Sequence, residues 1–421
     1  MKLAPSPFQK EFLSWEFGVF FHFGIRSFYP GHRDWDGLPM PAEGFNPSAL
    51  DCRQWCRAVR EAGGRYAILT CKHHDGFANW PSAYTSYSVA ATPWKDGKGD
   101  VVREFTDACR AEGLKVGLYY SPAQWGDGAV SFKEDREYDD YFINQISELL
   151  SGYGKIDYLW FDGCGSEGHE YDRVRIIHTI RTLQPGIGIF GMWDPDTRWV
   201  GNEDGYADVP NGSVRTDVDF SMFATEKEKL EGARYIPAEC DMKLRDTWFF
   251  DRNEDTIKTL PELMGIYEMS VGRGANLLLD IGPDNRGLLP EADVARLSEF
   301  GAAIRARYGH PLDYVLEPAG EAGEMYTLVC KEPKTSYPAP LCDRIVLEED
   351  ITEGDGIEEF RVYAHLPCYT SKRVLVYRAE TVGHKHICAF PAIRSGQFDI
   401  EITRRNGKAV LLAAHVFAAK E

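Results

Sequence analysis

The sequence predicts an α/β plus all-β chain: an irregular (β/α)8-like barrel of the TIM type, followed by a C-terminal antiparallel β-sandwich. Three observations carry that expectation. Across residues 1–310 short apolar runs alternate with stretches of helical spacing, as in repeated strand–helix units. From Pro311 the helical stripes stop, and short strands separated by Gly, Pro, Asp and Asn take over. The chain has 421 residues, too many for one ordinary core. The expected units are therefore residues 1–310 and 311–421.

Taken in order, residues 15–24 (WEFGVFFHFG) read as a first strand ending at His22, with a Gly-, Pro-, Asp- and Trp-rich loop over 29–37 behind it. Leu50, Trp55, Cys56 and Val59 make one face of a helix that Gly63-Gly64 closes. Tyr66–Cys71 is a strand running into Lys72-His73-His74-Asp75. Asp100 caps a helix carrying Val101, Val102, Phe105, Ala108 and Cys109, and Leu114–Tyr120 is the next strand. A stripe of Tyr138, Phe142, Ile146, Leu149 and Leu150 precedes the run Tyr158–Phe161, which reads as a buried parallel strand ending at Asp162. A helix over Val174–Leu183, strands at Ile187–Phe190 and Arg234–Cys240, a helix over Leu260–Val271, a strand at Ala275–Ile281 and a helix over Val294–Tyr308 complete this half. The stretch 192–233 lacks a period and reads mostly as loop, which is why the barrel is expected to be irregular. The second half offers short strands at Tyr326–Cys330, Arg344–Leu347, Glu359–Ala364, Arg373–Tyr377, Ile387–Phe390, Phe398–Thr403 and Val410–Val416.

A net charge of −18 argues against nucleic acid or an anionic membrane as partner. No stretch resembles a transmembrane span, and Met1–Phe8 has no apolar h-region, so a cytoplasmic location is expected. The ten Cys are scattered through patterned elements without paired CxxC motifs, and read as small thiols in a reducing compartment.

The polar residues collect at strand ends, which in such a barrel face the active site. His22, His73-His74-Asp75, Tyr119-Tyr120 and Trp160 with Asp162 end four strands; Glu203 follows a fifth in RWVGNE, and Glu239 ends a sixth in PAECD. Each has an ordinary alternative: a core histidine, a helix cap for Asp162, a solvated loop charge for either glutamate. His73-His74-Asp75 also offers metal-ligand types, but adjacent strand residues point opposite ways and no HxH or HExxH spacing is present, so no metal and no cofactor are expected. Convergence of six strand ends favours a sugar site. Imidazoles and carboxylates grip hydroxyls, aromatics pack on C–H faces, and two carboxyls perform hydrolysis.

The segments FFHFG, CKHHDGF, GLYYSP, LWFDG, RWVGNE, PAECD and SVGRGANLLLDIGPDNRG, with further matches along nearly the whole chain, resemble α-L-fucosidases of glycoside hydrolase family 29. RWVGNE and PAECD are most similar to the subfamily acting on α-1,3 and α-1,4 fucosyl linkages. The resemblance implies a retaining exo-glycosidase releasing α-L-fucose from oligosaccharides or glycoconjugates. It implies Asp162 as nucleophile and Glu203 as acid/base, with Glu239 as rival acid. It implies sugar contacts from His22, His73, His74, Tyr119 and Trp160, and adds Trp248 against the fucose methyl and Arg198 paired with substrate or with Glu203. Asp34-Trp35 stands where the family often has Glu-Trp, one methylene longer, and Ala123-Gln124-Trp125 replaces a common Trp-Asp after Ser121-Pro122. The expected partner is a fucosylated oligosaccharide, with room for a homo-oligomer. Two other readings compete: a retaining glycosidase for a related sugar, and a silent sugar-binding relative, which the presence of both Asp162 and Glu203 disfavours.

Overall fold

The computed structural model describes residues 3–31, 38–124, 135–166, 169–222, 224, 226–320, 324–331, 338–367, 369–407 and 409–420. Asp34, Trp35 and Trp125 lie outside them.

The chain opens with a helix, α1 (Pro7–Trp15), whose last residue the sequence reading placed in the first strand. The signal is local. Ser6 accepts from the Gln9 N–H, the Gln9 side chain accepts from the Ser6 N–H, and Pro7 fills the first turn. Glu16, at φ 55°, ends the helix, and β1 (Phe17–Phe21) follows. Strand–helix units then alternate as α2 (Cys52–Ala62), β2 (Tyr66–Lys72), α3 (Val101–Glu112), β3 (Lys115–Tyr120), α4 (Asp135–Gly152), β4 (Tyr158–Phe161), α5 (Arg173–Leu183) and β5 (Gly188–Phe190). Asp51 and Asp100 cap α2 and α3, and Gly63 and Gly113 end them in the left-handed conformation.

The stretch expected to be loop holds three strands. A two-residue strand, β6 (Arg198–Trp199), belongs to the barrel, while β7 (Val214–Val218) and β8 (Glu228–Tyr235) form an antiparallel ribbon. The expected strand Arg234–Cys240 is therefore divided: its start ends β8, and its end opens β9 (Ala238–Lys243). α6 (Leu260–Ser270), β10 (Asn276–Asp280) and α7 (Glu291–Tyr308) complete the half. The eight barrel strands run in the order β5-β4-β3-β2-β1-β10-β9-β6, all paired in parallel. A single bridge, Phe190 to Thr197, links the two outer strands and nearly closes the barrel.

Inside, the pleat sorts side chains by a period of two. Phe20, Tyr66, Ile68, Tyr119, Tyr158, Trp160, Phe190, Trp199 and Leu278 form one inner cluster with Phe12 and Trp15 of α1. Phe12 packs on Tyr158 and Trp15 on Tyr66, both at the N-terminal ends of their strands, so α1 plugs the end away from the strand C-termini. The outer faces of the strands meet the helices in a second, larger cluster.

The C-terminal strands are β11 (Tyr314–Ala319), β12 (Met325–Cys330), β13 (Leu341–Glu349), β14 (Ile357–Leu366), β15 (Tyr369–Ala379), β16 (His386–Arg394), β17 (Gln397–Arg405) and β18 (Leu411–Ala418). They form antiparallel sheets β11-β12-β17-β14-β15 and β16-β13-β18 over their own core. β11 is a strand that the sequence reading did not expect. The nine described cysteines are free. Among the described residues no helix is long and apolar enough to cross a membrane.

Candidate active site

The period of two decides which strand residues reach the C-terminal mouth. On β4, Tyr158, Trp160 and then Asp162 share the inner face; on β9, Glu239, Asp241 and Lys243 share it. Two strand residues span about 7 Å, so each step moves a side chain one layer toward the mouth. A cavity of ≈ 660 Å³ occupies that mouth, and His22, His73, His74, Tyr119, Trp160 and Asp162 line it. Glu203 and Trp248 line it too.

Asp162 is the best-supported carboxylate. Its Oδ2 accepts from the Tyr119 hydroxyl at 2.8 Å and lies 3.2 Å from His74 Nε2, while its Oδ1 accepts the Cys164 N–H at 2.9 Å. His74 Nδ1 is 2.6 Å from Ser121 Oγ, whose own hydroxyl donates to the Ala123 carbonyl. The ring thus bridges Ser121 and the Asp162 carboxylate through its two nitrogens. Burial pushes the Asp162 carboxyl up. The charge and hydrogen bond of His74, the Cys164 N–H and the nearby His73 outweigh it, and the acid ends below its usual range. Asp162 is thus held ionised while its side chain stays 23% exposed to the cavity. Gly163 makes room beside it, since a Cβ there would sit 1.8 Å from the Phe220 carbonyl oxygen of the ribbon loop.

The aromatic wall is continuous. Trp160 stacks on Phe190 at 4.2 Å and on Tyr119 at 5.4 Å, and Tyr119 stacks on His73 at 5.6 Å. Trp248 faces His22 at 5.0 Å between centroids. His22 is oriented from behind by Asp280, whose Oδ1 is 2.7 Å from Nδ1, and it lines the cavity. Asp75 turns away, its Oδ1 accepting the Phe77 N–H, and its place in the cluster of possible ligand types is taken by Asp162. The donor atoms of His73, His74 and Asp162 lie within 4.8 Å of one another, a set that a cation would also fit.

The two glutamates separate sharply. Glu203 stands on the loop after β6, where the Asn202 side-chain Oδ1 accepts the Asp204 N–H and its Nδ2 donates to the Tyr206 carbonyl. A bridge from Asp204 to Met242 pins that loop along β9 and brings Glu203 Oε2 to 3.0 Å from Lys243 Nζ. Glu239 lies deeper in the barrel, fully buried and outside the cavity lining. It accepts from Tyr66 at 2.6 Å, Trp160 Nε1 at 2.9 Å and Tyr158 at 3.3 Å. Burial lifts its carboxyl to about 7 in spite of those bonds. Arg198 is also absent from the cavity lining: its neighbour Trp199 takes the inner face, so the guanidinium points outward to Asn211 at 2.5 Å. The cation beside Glu203 is Lys243, not Arg198.

Asp241, Lys243, Trp199, Asp280 and Ser121 were not singled out from sequence. Asp241 accepts from Trp199 Nε1 at 2.7 Å, and its carboxyl is pushed well up by burial and then by Glu203. Counting inward positions along PAECDMK would have found Asp241 and Lys243, and LLLDIG repeats the LWFDG pattern that revealed Asp162.

A family model for alpha-L-fucosidase matches residues 2–308. A protein of Oryza sativa subsp. japonica named after alpha-L-fucosidase 1 is 33% identical over 424 residues, covering 94% of this chain and 81% of that one. Among solved structures, a glycoside hydrolase 29 family member from an unknown rumen bacterium is 31% identical with a TM-score of 0.87, covering 100% of this chain and 78% of that one. A Ruminococcus gnavus GH29 fucosidase in complex with fucose is 25% identical with a TM-score of 0.86, covering 100% of this chain and 96% of that one. The barrel, its mouth and these likenesses agree, and the chain belongs to the alpha-L-fucosidase family, glycoside hydrolase family 29.

Proposed function

We propose that this α-L-fucosidase works with retention of configuration on α-1,3- and α-1,4-linked fucose at the ends of oligosaccharides, with Asp162 as nucleophile and Glu203 as acid/base. The observation that carries the assignment is the pairing of an ionised, cavity-facing Asp162 with a glutamate on the same cavity, while Glu239 is sealed off beneath Trp160. Asp162 attacks the anomeric carbon and the leaving oxygen takes the Glu203 proton. A covalent fucosyl-enzyme results, and the glutamate then deprotonates the water that releases fucose. The geometry requires the two carboxyls about 5–5.5 Å apart with substrate bound. His22 and His73 supply ring nitrogens for sugar hydroxyls, and Trp160 and Trp248 supply apolar faces. His74 holds the nucleophile and keeps it ionised. The linkage assignment is supported by RWVGNE and PAECD, and the sugar by the fucose bound in the Ruminococcus gnavus relative.

Asp162→Ala should abolish nearly all turnover, and added azide should restore release from an aryl fucoside with a fucosyl azide of inverted configuration. A set of α-1,2, α-1,3, α-1,4 and α-1,6 fucosides tests the linkage: fastest release from the α-1,2 or α-1,6 member would refute it.

A further inference from the structure

We propose that Lys243 is a positioning residue for the acid/base: its ammonium holds the Glu203 carboxylate on the cavity wall and favours the ionised form, so setting the pH at which activity falls on the basic side. This rests on the reading of Glu203 as the acid/base. Lys243 is the last residue of β9 and the third inward position after Glu239 and Asp241. Its ammonium sits 3.0 Å from Glu203 Oε2 and 4.7 Å above the Trp248 ring, with both partners lining the cavity. Two contacts therefore fix a side chain that would otherwise be among the most mobile. The Trp248 it lies on also faces His22, so the ammonium bridges the sugar wall and the glutamate.

Other titratable groups face the pair. Asp241 interacts with Glu203, and Asp280 with Lys243 and Asp241. Lys258 feels Lys243, Asp204 and Asp246. Glu262 also faces Lys258, and burial pushes the Asp241 and Asp280 carboxyls well up, which favours their neutral forms. Removing Lys243 takes away the ammonium that anchors the Glu203 carboxylate. With Lys243 beside it, the proton leaves more readily in the first step, and the carboxylate is stabilised for its role as base in the second.

The test is the pH dependence of kcat/KM on a Lewis-type trisaccharide for wild type, Lys243→Met, Lys243→Gln, Lys243→Arg and Glu203→Gln. The side chains of the pair are 23% and 28% exposed, so solvent screens the interaction, and removing the charge should move the basic limb upward by roughly one pH unit. Lys243→Arg should bring it back, and thermal melting of each variant identifies any that is misfolded. A basic limb left in place or moved downward in both neutral variants, with Glu203→Gln removing that limb, overturns the role of Lys243 and leaves the acid/base assignment standing. A wild-type basic limb in Glu203→Gln overturns the acid/base assignment itself.

Discussion

Glu239 sits on the inner face of β9 under Trp160, with three donors on its carboxyl and no opening to the cavity; Glu203 stands on a pinned loop at the cavity wall, against a single ammonium. A carboxyl lifted to about 7 is what a general acid needs, and by that criterion Glu239 would be chosen. Reach favours Glu203 in the proposed assignment, because a proton donor must come within hydrogen-bond distance of the leaving oxygen. The high pKa of Glu239 reports burial that its three hydrogen bonds do not fully offset. In the proposed assignment its work is structural: it accepts from the Trp160 N–H and two tyrosine hydroxyls inside the barrel, and so holds the Trp160 ring that lines the cavity.

The largest effect should separate the two directly. Glu203→Ala should lower kcat/KM on a Lewis-type trisaccharide by about 10²–10⁴-fold, the usual contribution of general acid catalysis, while an aryl fucoside with a good leaving group should lose far less. Glu239→Ala should act on stability instead. It leaves a cavity and removes the acceptor of the buried Trp160 N–H, while the Tyr158 hydroxyl keeps Thr197 at 2.6 Å, at about 3 kcal/mol in denaturant unfolding, with the limbs of the pH–rate profile unmoved.

A smaller effect follows from linkage. Glu239 has its acid raised in the folded state, so its contribution to stability is complete below pH 4.5 and is lost as pH rises toward about 7. At most about 3 kcal/mol is involved. Glu239→Gln should flatten that part of the stability curve, measured as melting temperature against pH; an unchanged slope would show that another group is responsible. The smallest effect concerns His22. Asp280→Asn weakens the bond that orients the imidazole and should raise KM about tenfold, or about 1.4 kcal/mol, with kcat little changed.

The same contrast explains what was legible in the sequence. His22, His73, His74, Tyr119, Trp160 and Asp162 follow apolar runs at strand ends, and the structure gathers them at one mouth. Arg198 and Glu239 also lie on strands, but neither reaches the cavity. Arg198 is one residue out of phase with the inward Trp199, and Glu239 is two positions short of the mouth. Proximity to a strand end is readable from a motif; phase and depth require the strand's bounds. Those bounds were hidden where β9 follows the ribbon strand β8 closely and the apolar period fails. The ribbon itself is mostly exposed or half-exposed, and its burial pattern is not matched by an apolar period in the sequence. α1 was hidden differently, because its last residue, Trp15, reads as the start of the aromatic strand behind it.

The most direct measurement is azide rescue of Glu203→Ala and Glu239→Ala on an activated aryl fucoside, with the product's anomeric configuration assigned by NMR. Losing the acid/base leaves the fucosyl-enzyme able to form but slow to hydrolyse, so azide should accelerate Glu203→Ala and give fucosyl azide of retained configuration, with no such acceleration in Glu239→Ala. Retained-configuration azide from Glu239→Ala, with none from Glu203→Ala, would contradict the account.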